Sequence, residues 1–161
     1  MEPAKTFCLF LVCVFIAIGC EKQTPATATD LHRAAETGDI RQVQALLSND
    51  ADANAPDENG DTPLQRAVFG GRKSVVELLI AAGADVNTRN RYGRTPLHVA
   101  ALRDFKDIAQ VLIASGAEVN ARNDQGQTPL YTAASFSRTE IIKLLIANSA
   151  HRESDLRESE K

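Results

Sequence analysis

Aliphatic residues in this chain fall in blocks that return every 33 positions. The blocks read Val75-Val76-Glu77-Leu78-Leu79-Ile80, Ile108-Ala109-Gln110-Val111-Leu112-Ile113 and Ile141-Ile142-Lys143-Leu144-Leu145-Ile146. Their apolar positions recur at helical spacing. Ahead of each block, at the same period, stands a Thr-Pro-Leu triplet: Thr62-Pro63-Leu64, Thr95-Pro96-Leu97 and Thr128-Pro129-Leu130. Threonine is a good N-cap and proline suits the first helical position, where no N–H is needed. Each unit therefore predicts two helices. The first is short and ends near Gly70-Gly71 in the unit that begins at Thr62. The second starts around Ser74, and Gly83 takes the left-handed position that closes it. Helices this short are unstable alone in water, so the pattern predicts a stack in which each unit buries its apolar face against its neighbours.

Stepping back one period from Thr62 gives an eroded fourth copy. It comprises Thr29-Asp30-Leu31-His32, the aliphatic positions Val43, Leu46 and Leu47, and the close Ala51-Asp52-Ala53-Asn54. Turn-forming stretches open the other units: Asp57 to Asp61, Asn90 to Arg94 and Asn123 to Gln127. Two closes are alike, Gly83-Ala84-Asp85-Val86-Asn87 and Gly116-Ala117-Glu118-Val119-Asn120.

These residues resemble the ankyrin repeat. The resemblance rests on the three Thr-Pro-Leu triplets, on Thr95-Pro96-Leu97-His98-Val99-Ala100-Ala101 and on the two Gly-Ala-acid-Val-Asn closes. It implies an all-α solenoid of about four helix pairs joined by hairpin-like loops, spanning residues 29–150, with repeats at about 25–57, 58–90, 91–123 and 124–153. The framework positions are Thr62, Pro63, Leu64, Gly83, Thr95, Pro96, Leu97, His98, Gly116, Thr128, Pro129 and Leu130. The resemblance also implies that His98 ties its own Thr to neighbouring backbone. Function would be protein binding on the concave side, without catalysis. The chain departs from the pattern at several places. Gln65 and Tyr131 stand where His is expected, Asp104 and Ser137 replace the Gly between helices, and Asp50 and Ser149 replace the capping Gly. Kept in the left-handed region, such residues cost about 1–2 kcal/mol each, and Asp tolerates it better than most.

The front of the chain is a different object. Lys5 precedes an uncharged, mainly apolar run from Phe7 to Gly19. A helix of that length spans about 20 Å, short of the ~30 Å hydrocarbon core, and the pattern reads as an export signal over residues 1–19. Ile16-Ala17-Ile18-Gly19-Cys20 resembles a bacterial lipobox. That implies cleavage before Cys20 and lipidation of its thiol, with a polar linker following to residue 28. An ordinary signal peptide cut near the same place, or an uncleaved apolar helix, are the other readings of this segment. The expected location is the bacterial cell envelope. Glu21, rather than Asp, after the Cys favours the periplasmic side of the outer membrane in a Gram-negative host. A soluble secreted or periplasmic protein is the alternative. Residues 151–161 read as a charged tail.

Composition narrows the function further. The net charge is −3, and removing residues 1–19 takes away one Lys and one Glu, leaving it unchanged. A mildly acidic domain with no basic cluster is poorly suited to a phosphate backbone. No cysteine remains after Cys20, so no disulfide is expected in the mature chain. His32 and His98 occupy equivalent positions two units apart, roughly 20 Å at ~8–10 Å per packed helix, too far to share a metal. Asp52, Asp85 and Glu118 are likewise one unit apart each and suggest no acid–base pair. Gly70-Gly71-Arg72-Lys73-Ser74 lacks the spacing of a phosphate loop. No cofactor and no small-molecule substrate is expected.

Candidate partner-binding residues are those that framework duty leaves unexplained. They are Arg91, Tyr92 and Arg94 at a loop tip, and Phe69, Leu102, Arg103 and Phe136 at the ends of first helices. Aromatics and Arg are common interface anchors. The expected function is an exported, lipid-anchored, non-enzymatic module that binds a protein partner through this patch. A second reading is an inhibitor or immunity-type factor acting on an envelope enzyme or toxin.

Overall fold

The computed structural model describes residues 28–159, which form eight helices and no strand. They are α1 (Ala28–Thr37), α2 (Ile40–Ser48), α3 (Pro63–Phe69), α4 (Lys73–Ala81), α5 (Pro96–Arg103), α6 (Lys106–Ala114), α7 (Pro129–Ser135) and α8 (Thr139–Ser159). Within each pair the two helices pack on each other. The first helices α1, α3, α5 and α7 then stack in one row, and the second helices α2, α4, α6 and α8 in another. The all-α solenoid expected from the repeat is the fold observed.

Local chemistry sets the helix ends. Thr62, Thr95 and Thr128 are extended N-caps, each followed by Pro at the first helical position. The second helices α2, α4 and α6 close in one way. Gly83 N–H donates to the Ile80 carbonyl and Ala84 N–H to the Leu79 carbonyl, at 3.0 and 2.9 Å, with Gly83 left-handed at φ +89°. Gly116 and Asp50 repeat that arrangement, Asp50 at φ +60°. Asp104 (φ +64°) and Ser137 (φ +54°) likewise keep the left-handed turn between helices without glycine. Stacking therefore imposes this geometry on residues that disfavour it.

Ser149 differs. No left-handed turn occurs there, and α8 continues to Ser159, so helix extends into the stretch read from the sequence as a tail. The Ser149 hydroxyl meets the Asn120 side chain at 3.1 Å. Asn120 is the last of a series that clamps neighbouring closes. Asn54 takes Asp85 N–H at 2.8 Å and gives a bond to the Gly83 carbonyl, and Asn87 does the same with Glu118 and Gly116. The acids of the closes serve locally: Asp52 and Asp85 each accept from the N–H two residues on.

The core is a periodic interlayer. Leu31, Leu64 and Leu97 of the first helices and Val43, Leu79, Leu112 and Leu145 of the second are fully buried. Periodicity breaks at the fourth unit, where among the described residues no further first helix packs on the far side of α7. Gln65 and His98 are 1% exposed, whereas Tyr131 at the same phase is 56% exposed.

Candidate interaction surface

Three loops project at the N-terminal ends of the first helices, built identically from the residue that opens each. Asp57, Asn90 and Asn123 each use Oδ1 to accept the N–H groups two and four residues on, at 2.7–3.1 Å. A backbone bond closes each loop, from Asp57 to Asp61, from Asn90 to Arg94 and from Asn123 to Gln127. Adjacent tips are joined through Arg91 N–H to the Asn59 carbonyl (3.1 Å) and Asp124 N–H to the Tyr92 carbonyl (3.2 Å). The tips are therefore a continuous hydrogen-bonded ledge.

The ledge is fastened to the helices by a ladder. His32 Nε2 lies 3.0 Å from the Asp61 carbonyl, Gln65 Nε2 donates to the Arg94 carbonyl at 2.8 Å, and His98 Nε2 lies 3.0 Å from the Gln127 carbonyl. On its other side His98 Nδ1 accepts from Thr95 N–H at 3.2 Å, which fixes Nε2 as the protonated nitrogen. Gln65 reproduces both contacts, with its Oε1 accepting from Thr62 N–H at 2.9 Å. The Gln at this phase is thus a working substitute for His. Burial pushes the His98 pKa down and the nearby Arg89 and Arg94 charges add to this, against the bond to the Gln127 carbonyl.

At the first projecting loop, Arg66 is surrounded by acids. It bonds Asp57 through Nε and Nη2 and lies within 3.6 Å of Asp61 and 3.5 Å of Glu36. Burial raises the Asp57 pKa, but the Arg66 hydrogen bond and the two loop N–H groups outweigh it and hold the carboxyl below its ordinary value. Sequence reasoning passed over Arg66; its signal was an Arg, shared with Arg33, at the phase held by Val99 and Thr132 in the later units.

The predicted partner-binding residues separate into two strips. Arg91, Tyr92 and Arg94 lie on the ledge, Tyr92 60% exposed with the Arg94 guanidinium 5.6 Å from its ring centre. Phe69, Leu102, Arg103 and Phe136 lie at the opposite ends of the first helices. There, with Phe105 and Arg138, they line one open groove of about 500 Å³. The eight residues of α5 put about 12 Å between the two strips, so Tyr92 does not join the patch drawn from the sequence. Phe69 and Phe136 are 41% and 53% exposed, and Leu102 is half-buried. Arg103 stacks on Phe69 at 4.3 Å from the ring centre and donates to its carbonyl at 3.3 Å. Phe105 and Arg138 were not foreseen. They share the repeat phase of Arg72, at the start of second helices, and that phase was read only as turn.

Cys20, the segment read as an export signal and most of the stretch read as a linker lie outside the described residues. No described helix is long and apolar enough to cross a membrane. Among the described residues no His, Cys, Asp and Glu side chains cluster in a way that could hold a metal ion. A family model for ankyrin repeats (3 copies) matches residues 7–90, 31–123 and 88–156. No curated protein matches the chain.

Proposed function

The chain belongs to the ankyrin-repeat family, and from that premise we propose that it is a non-enzymatic module that holds a protein partner at the bacterial cell envelope. Ankyrin repeats indicate protein–protein interaction. The observation that carries the location of the site is the groove at the ends of the first helices. Two large aromatic side chains, Phe69 and Phe136, stand exposed there although the repeat framework does not require them. Exposed aromatics beside Arg are the side chains that dominate interface energies.

Envelope anchoring through Cys20 rests on the sequence. The basic start, the short apolar run and the lipobox-like Ile16 to Cys20 support it. Two or more acyl chains anchor stably. The linker over residues 21–28 reaches at most about 28 Å, which would keep the array close to the bilayer.

The test is capture from envelope extract with the protein as bait, followed by identification of what binds. Phe136→Ala should weaken recovery of the partner about tenfold or more while the melting midpoint stays near wild type. Recovery at full strength moves the interface away from the groove.

A further inference from the structure

Two guanidiniums sit in the groove without a carboxylate. Arg103 is held by stacking on Phe69 and by the Phe69 carbonyl. Arg138, partly buried, has a buried Nε with no hydrogen-bond acceptor. Among the described residues neither is in an ion pair, although Asp104 neighbours Arg103 in the chain and Glu140 lies two residues after Arg138. Glu140 is instead engaged by Lys106 and Lys143 at 3.2 and 2.9 Å. Two other guanidiniums show how an acceptor is supplied in this array: Arg66 gathers three acids, and Arg72, at the phase of Arg138, gives its Nε to the Glu36 carbonyl at 3.0 Å. A buried donor left unmatched has lost its water without gaining an acceptor, which is unfavourable. A ligand that brings an acceptor to it recovers that cost.

Around these cations the walls are apolar: Phe69, Leu102, Phe105 and Phe136. We infer that the groove binds a partner segment in which a large apolar side chain is flanked by Asp or Glu. The apolar side chain packs between Phe69, Leu102 and Phe136, and the carboxylate accepts from Arg138 Nε–H and from Arg103. This deepens the proposed function, resting on its assignment of the groove as the partner site. It adds the chemistry of the occupant.

The probes are three capped octapeptides with a central Leu-Phe, flanked by Glu, by Gln or by Lys. Affinity is read by fluorescence anisotropy, and the Arg Nε–H signals are followed in ¹H–¹⁵N spectra of the labelled protein. The Glu-flanked peptide should bind at least about tenfold tighter than the Gln-flanked one, and should shift the Arg138 Nε–H signal. That advantage should shrink as salt is raised. It should be lost in Arg138→Gln, and reduced in Arg103→Gln, which keeps the test alive if the first variant folds poorly. Equal binding of the Glu- and Gln-flanked peptides, preference for the Lys-flanked one, or no binding at millimolar concentration overturns the inference. The two readings fail separately. Partner capture that depends on Phe136 while the peptides show no carboxylate preference removes this inference and leaves the module at its groove. A carboxylate preference beside partner capture indifferent to Phe136 and Arg138 supports the ligand chemistry and moves the partner site elsewhere.

Discussion

Replacing His98 tests the ladder that joins loops to helices. In His98→Ala, Thr95 N–H loses its acceptor and the Gln127 carbonyl loses its donor, in a position 1% exposed. Each buried group left unmatched costs about 1–3 kcal/mol, and the missing ring leaves a cavity. The two unmatched groups alone sum to about 2–6 kcal/mol, a large part of the roughly 5–15 kcal/mol available to a domain. His98 links the third and fourth units, and among the described residues no further unit packs on the fourth. The loss should therefore fall on their interface, and in an array this uncouples the end unit first. Urea unfolding followed by circular dichroism should show a lower midpoint and a broadened or two-step transition. His98→Gln should cost less than about 1 kcal/mol, because Gln65 already makes both bonds one unit earlier. The pH dependence has a definite sign. The folded pKa of His98 is depressed, so below about 6.5 the unfolded chain binds the proton and the folded chain does not. This contribution to stability is whole above that value and is lost as pH falls from it toward the folded pKa. His98→Gln should flatten that part of the profile. If Gln is as damaging as Ala, or Ala costs under 1 kcal/mol, the ladder is not what holds the last unit.

Further expectations concern packing, charge and location. A Cβ at Gly70 would lie 2.2 Å from the Glu36 carbonyl oxygen, so Gly70→Ala should lose about 1–3 kcal/mol or more in urea melts. Gly83→Ala meets nothing within 4 Å and should cost only the left-handed backbone, about 1–2 kcal/mol; the reverse order would refute the packing argument. Asp57→Asn keeps the loop acceptor that Asn90 and Asn123 use and removes the charge facing Arg66. The loss should be under about 1 kcal/mol at neutral pH. The wild-type contribution, present above the ordinary Asp value and lost as pH falls through the depressed folded pKa, should vanish from the acid limb of the melting profile. Tyr92→Ala combined with Arg103→Ala should weaken partner capture with little change in melting; a large drop would show that these side chains are structural. Cys20→Ala should release the protein from membranes or leave an uncleaved precursor, read by fractionation and intact mass, and unchanged values of both would refute lipidation.

The repeat and the helix ends, apart from that of α8, were legible from residue order. A Thr-Pro start, a helical apolar period and a left-handed close are local properties of a few consecutive residues, and the 33-residue period multiplied the evidence. The candidate surface was legible only in part. Phe69, Leu102, Arg103 and Phe136 stood out because the framework does not require them. Phe105 and Arg138 did not, because a turn position reveals nothing about the groove it borders until neighbouring units lie side by side.

Residue order alone determined that this chain stacks, since no unit can bury its apolar face without the next. Tertiary structure decided what each face meets. It made Gln65 equivalent to His98, parted Tyr92 from the groove by the length of a helix, left Tyr131 open at the end of the stack, and placed two guanidiniums beside aromatic walls without a counter-charge. Contacts between units depend on side chains some 30 residues apart arriving in register, and only the folded array brings them together.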